Sequence, residues 1–90
     1  MPESLIRKIL NSLKWDSKNN ISDYEITFIH RGAPNDLKTY PAEKIQAIKI
    51  SYLLFIDEMT QEDIIIPFHR IRRIYNTRTK QVIWEKESSD

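Results

Sequence analysis

At Tyr24 the hydrophobic period of this chain changes from that of a helix to that of a strand. Before it, Leu5, Ile9 and Leu13 recur at helical spacing with Ile6 and Leu10 beside them, which predicts one apolar stripe. Arg7, Lys8, Asn11 and Lys14 fall on the wet face of that helix. Pro2-Glu3-Ser4 suits its start, because proline is tolerated in a first turn and an acid there meets the positive helix end. The helix is expected to stop near Trp15-Asp16, before a polar loop from Ser17 to Asp23.

After the change, Tyr24, Ile26, Phe28 and His30 point one way and Glu25, Thr27, Ile29 and Arg31 the other. Gly32-Ala33-Pro34-Asn35-Asp36 is a turn sequence, and the loop is read as continuing to Pro41. Ala42 to Ile45 reads as a short helical turn. Ala47 to Ile56 reads as one long alternating strand, and Asp57 to Asp63 as a charged turn. Ile64 to Ile66 is a β-branched strand stopped by Pro67, with a tight corner to Arg70. A last hairpin runs from Ile71 to Tyr75 and from Gln81 to Lys86, turning at Asn76 to Lys80, and Glu87 to Asp90 is expected to fray. The expected fold is therefore α+β: an N-terminal helix packed on a curved antiparallel sheet, or a small barrel, of four to five strands. Residues 1–86 form a single domain in this reading.

Ninety residues allow one modest core and argue against a deep enzyme cleft. A net charge of +1 is too mild to argue nucleic-acid binding globally, so any such argument must be local. Cysteine is absent, which excludes disulfides, zinc–thiolate sites and a thiol nucleophile. Apolar runs are too short for a membrane span and no signal peptide is visible, so a cytoplasmic location is the default expectation. No phosphate-binding glycine loop is present, no cofactor is expected, and arginines beside both histidines oppose a metal.

The two histidines are each followed by arginine, as His30-Arg31 and His69-Arg70, and each pair ends an apolar run. A guanidinium fork and an imidazole together make a ready phosphate site. The single glycine, Gly32, follows the first pair; it suits a turn, and it also lets backbone N–H groups approach an anion. Asp36 fits either a carboxylate that orients His30 or Arg31, or a turn residue. Arg72, Arg73, Arg78 and Lys80 extend a basic stretch without an acid. Trp15, Tyr40, Tyr75 and Trp84 are possible stacking platforms, although Trp84 reads more readily as core and Trp15 as closing the helix on the sheet.

The runs HRGAPND at His30 to Asp36, IPFHRIRRI at Ile66 to Ile74 and VIW at Val82 to Trp84, after an Ile/Leu helix ending in Lys14-Trp15, form an ordered set. It resembles the RNA cyclic-group-end recognition domain, a small, mainly archaeal family long listed as uncharacterised. It also resembles modules of that type appended to RNA ligases, nucleotidyltransferases and phosphoesterases, which implies such proteins as partners. The resemblance covers about Leu5 to Lys86 and implies a module that binds RNA 3′ ends bearing a 2′,3′-cyclic phosphate, in RNA processing or repair. Its polar motif positions are His30, Arg31, Gly32, Asp36, His69 and Arg70. One departure is that the final hairpin usually turns on a glycine, and Asn76 to Lys80 has none.

Three functions compete. The leading one is a non-catalytic RNA-end module in which Arg31 and Arg70 clamp the phosphate while His30 and His69 donate to it, with Arg72, Arg73, Arg78 and Lys80 touching upstream phosphates. The second is a phosphodiesterase using the two histidines as acid and base. Known two-histidine phosphoesterases carry a threonine or serine two residues after each histidine, where this chain has Gly32 and Ile71. The third is a protein–protein adaptor.

Overall fold

The computed structural model describes residues 5–16, 18 and 20–86. The readings made for Pro2 to Ser4 and Glu87 to Asp90 lie outside them. Helix α1 spans Leu5–Trp15 and is followed by seven strands: β1 (Tyr24–Ile29), β2 (Leu37–Pro41), β3 (Ile45–Ile48), β4 (Tyr52–Ile56), β5 (Asp63–Pro67), β6 (Ile71–Asn76) and β7 (Gln81–Glu85). They form two antiparallel sheets, one in the order β2-β1-β6-β7 and one in the order β3-β4-β5. The fold is α+β, as expected, but the strands do not close into a barrel and outnumber the four or five anticipated.

Helix α1 buries Ile6, Leu10 and Leu13. Against them pack Ile26, Phe28, Ile71 and Ile74 from the inner face of the four-stranded sheet, and Ile45, Leu53, Phe55 and Ile66 from the three-stranded one. Ile26 with Phe28 and Leu53 with Phe55 follow a period of two, and the irregularity in β6 brings Ile71 and Ile74, three residues apart, onto one face, so burying one face of each sheet fills one shared core. Tyr40 joins the sheets, its ring edge-on to Phe28 at 5.4 Å and to Phe55 at 5.3 Å. The stripe is narrower than its sequence suggested: Leu5 is 63% exposed. Trp15 is 74% exposed and does not close the helix on the sheet; Lys14 Nζ sits 5.8 Å from its ring centre.

Two segments differ from the expected strands. Leu37–Pro41, read as loop, forms β2 because it pairs with β1 from Ile29↔Leu37 to Glu25↔Pro41. Its side chains are mostly exposed, as suits an edge strand, and so lack the apolar alternation that marks a half-buried one. Ala47 to Ile56, read as one strand, is the hairpin β3–β4. The chain reverses at Lys49 to Ser51, where Lys49 N–H donates to the Tyr52 carbonyl at 2.9 Å. No glycine or proline marks this turn, and Ile50, 79% exposed, carries the apolar pattern straight through it.

The Ala42–Lys44 turn and the Phe68–Arg70 corner are single 3-10 turns, and each passes the chain between the two sheets. In the last hairpin Asn76 Oδ1 accepts from the Arg78 and Thr79 N–H groups, both at 2.9 Å. Lys80 takes the left-handed conformation there (φ 61°), which a glycine would adopt without strain.

Candidate nucleic-acid interface

β1 and β6 are the two inner strands of the four-stranded sheet, and they run antiparallel. Their register starts at Tyr24↔Asn76 and ends at Phe28↔Ile71. Two residues past Phe28 comes His30; two residues before Ile71 comes His69. The carboxyl end of one strand and the amino end of the other thus bring both His-Arg doublets to the same end of the sheet. Both lie at the ends of the sheet's two middle strands, not along an outer edge. Both histidines and both arginines are exposed. Among the described residues Arg31 and Arg70 have no ionic partner.

The first doublet opens a tight loop. His30 N–H donates to the Asp36 carbonyl (2.8 Å), Ala33 N–H to the His30 carbonyl (3.1 Å) and Asp36 N–H to the Ala33 carbonyl (2.8 Å). Gly32 (φ 95°), Asn35 (φ 57°) and Asp36 (φ 56°) all lie in the left-handed region, so the loop doubles back over few residues. Asp36 Oδ1 accepts the Gly32 N–H at 3.3 Å. The carboxylate therefore braces the loop, and it holds the amide that an anion would otherwise reach. Of the two readings open for Asp36, the turn role is the one its contacts display. The His30 ring stands edge-on to Phe28, with centroids 6.4 Å apart, which ties it to the rigid end of β1.

The second doublet lies in the Phe68–Arg70 turn. Lys86, just past β7, reaches it: its N–H donates to the Arg72 carbonyl at 2.8 Å and its Nζ to the His69 carbonyl at 3.4 Å. No local signal at Lys86 points to this end of the sheet; only the antiparallel return of β7 carries it there.

A bulge sets the basic residues of β6. Thr27 pairs with Arg73 and Phe28 with Ile71, leaving Arg72 as the extra residue. A bulge re-aims side chains, and Arg72 and Arg73 line one cleft of about 190 Å³ on the outer face of the sheet, with Thr27, Leu37, Glu85 and Lys86. The Arg73 guanidinium lies 5.2 Å from the Tyr75 ring centre, a cation–π distance. Its Nε is buried without a hydrogen-bond acceptor. A groove of about 360 Å³ lies beside His69, walled by Leu5, Ile6, Phe68 and Trp84, with Lys86 at its rim.

Arg78 and Lys80 are not part of this end. The same register that gathers the doublets carries the last hairpin to the opposite end, where Arg78 Nε binds Asp23 Oδ2 at 3.0 Å. The basic stretch from His69 to Lys80 is continuous in sequence and divided in space. Of the four aromatic side chains considered for stacking, Tyr40 is taken up between the sheets and Trp84 is half-buried against the core, while Tyr75 lies under Arg73. No group of three or more metal-ligating side chains occurs among the described residues. Among the described residues no helix is long and apolar enough to cross a membrane.

Comparison with known sequences decides the family. The family model described as the MJ1316 RNA cyclic group end recognition domain matches residues 4–86. The chain belongs to this family. Among its relatives, the UPF0248 protein MMP0286 of Methanococcus maripaludis is 39% identical over 82 residues, covering 91% of this chain and 99% of that protein. A UPF0248 protein of Thermococcus onnurineus is 36% identical over 85 residues, covering 94% and 88% of the two chains. The UPF0248 protein MJ1316 of Methanocaldococcus jannaschii is 29% identical over 83 residues, covering 92% and 95%. No solved structure matches. The family match spans every strand of both sheets, including the doublet-bearing ends of β1 and β6.

Proposed function

We propose that this member of the cyclic group end recognition family is a binding module for RNA 3′ ends, with a 2′,3′-cyclic phosphate as its ligand, acting in RNA processing or repair. The observation that carries this reading is the β1–β6 register ending at Phe28↔Ile71, which puts His30, Arg31, His69 and Arg70 at one end of a rigid sheet. Arg31 and Arg70 clamp the phosphate with charge-assisted hydrogen bonds. His30 and His69 donate to its oxygens or to the adjacent ribose. Gly32 and Asp36 hold the loop that presents Arg31. A cyclic phosphate has a single charge and offers no free 2′-hydroxyl, so it is told from a linear end by shape and by donor placement.

Upstream phosphates lie along the outer face of the four-stranded sheet, over Arg72, Arg73 and Lys86. Arg72, Arg73 and Lys86 support this, because all three line the cleft on that face and can offer positive charge to a phosphate. Arg78 and Lys80, at the far end, are outside the path.

The test is an NMR titration with two short RNAs that differ only in a cyclic or a linear 3′ phosphate. Shifts centred on His30 and His69, larger for the cyclic end and without turnover, are expected. Slow opening of the cyclic phosphate, lost in His30→Ala or His69→Ala, would instead make the protein a phosphodiesterase. Unmoved resonances with both RNAs would leave an adaptor role.

A further inference from the structure

We infer that the groove between the start of α1 and β7 is the seat of the terminal nucleobase, so that the base and the phosphate of one nucleotide are held by adjoining sites that share His69. This rests on the end-binding reading above and adds to it a site for the ring.

The groove has the chemistry of a flat aromatic ligand. Its walls are Leu5, Ile6, Phe68 and Trp84, and its polar groups are His69 and Lys86 at the rim. Phe68 and Trp84 are both half-buried: part of each side chain packs on the core and another part faces the groove. They are thus held rigidly while still offering apolar surface. Leu5, 63% exposed, is an apolar side chain at the helix start that the core does not cover. The volume of about 360 Å³ falls at the low end of the range for small-ligand pockets, about 300–1,000 Å³. A nucleobase has two apolar faces and a polar edge; stacking takes up the faces and leaves the edge to the rim. Stacking on apolar and aromatic surface tolerates every base, which suits a protein that reads an end and not a sequence.

Position favours a nucleotide over another flat ligand. His69 belongs to the second doublet and also lines the groove. Lys86 lines the groove and the basic cleft of Arg72 and Arg73, so it stands between the two and is placed for the intervening phosphate. The other apolar hollow on α1, lined by Lys8, Ile9, Tyr24 and Ile83, sits by the opposite end of β1 and touches none of these groups.

The experiment changes the ligand, so folding is not at risk. The chain has two tryptophans, and Trp15→Phe, at an exposed position, leaves Trp84 as the only indole. A short RNA with a 2′,3′-cyclic phosphate is compared with the same RNA whose terminal ribose carries no base. The intact RNA is expected to quench Trp84 emission and to bind about fivefold to a hundredfold more tightly than the abasic one. Equal affinity of the two RNAs without quenching, in a protein whose binding is still lost on Arg31→Ala or Arg70→Ala, overturns the base site and leaves the end-binding reading standing. Failure of both RNAs to bind overturns both.

Discussion

Ile71 stands opposite Phe28 at the last paired position between β1 and β6, and both side chains are buried in the core. Their contact with the hydrophobic interior fixes where the two strands end relative to each other. The residues just outside that pair, His30-Arg31 on one strand and His69-Arg70 on the other, inherit this fixed separation. A one-residue slip of β6 would turn Ile71 and Ile74 to water, so the core guards the geometry of the polar end.

Arg31→Ala and Arg70→Ala should each weaken binding of a cyclic-phosphate RNA end by about 1–3 kcal/mol, the worth of a charge-assisted hydrogen bond to an anion. Fluorescence anisotropy with a labelled RNA measures it. Since both arginines are exposed, the melting transition should barely move. Folded variants with full affinity would remove the clamp.

The division of the basic stretch predicts two classes of arginine. Arg72→Ala and Arg73→Ala should lower affinity and make the dependence of log K on log salt shallower by about one phosphate contact each. Arg78→Ala should leave both unchanged, because Arg78 is held by Asp23 at the other end. A loss on Arg78→Ala equal to that on Arg72→Ala would place the RNA elsewhere.

Gly32→Ala tests the loop that presents Arg31. Nothing lies within 4 Å of a Cβ added at Gly32, so its cost comes only from φ 95°. A destabilisation of roughly 1–2 kcal/mol in urea unfolding is expected. A neutral outcome would mean that the loop readily takes another path.

Asp57 gives stability a pH dependence. Its Oδ1 accepts the N–H groups of Met59 (2.8 Å) and Thr60 (3.1 Å) in the β4–β5 turn. These bonds, that from Thr60 first, hold its carboxyl below the usual value. A lowered folded value means that the contribution is present above the ordinary carboxylate range and fades as pH falls through the lowered one. Asp57→Asn should therefore be less stable than wild type at neutral pH, with the gap closing on acidification, as followed by urea denaturation at a series of pH values. A gap that stayed constant with pH would rule out the charge as its source.

Phe55→Ala should cost about 3–5 kcal/mol, since Phe55 is fully buried and its ring meets Tyr40 where the sheets join. Chemical denaturation measures it. A cost under 1 kcal/mol would mean that the two sheets do not depend on this contact.

By itself the sequence determined the helix, the strands with a buried face and the polar motifs, because amphipathic periods and residue chemistry are local. Leu10 and Leu13, and Ile26 and Phe28, lie on the faces that their spacing demanded, whereas Ile71 and Ile74, three apart in a strand, share a face only because of the bulge at Arg72. It did not reveal β2, whose exposed side chains leave no apolar signal, or the reversal at Lys49 to Ser51, where no glycine or proline interrupts the pattern. The site divides in the same way. The doublets are visible as residues, but their placement at one end of the sheet, the separation of Arg78 and Lys80 from Arg72 and Arg73, and the arrival of Lys86 follow from strand order and register. Those are settled by which faces pack together in the core, a free energy summed over residues distant in the chain, and no short stretch of sequence carries it.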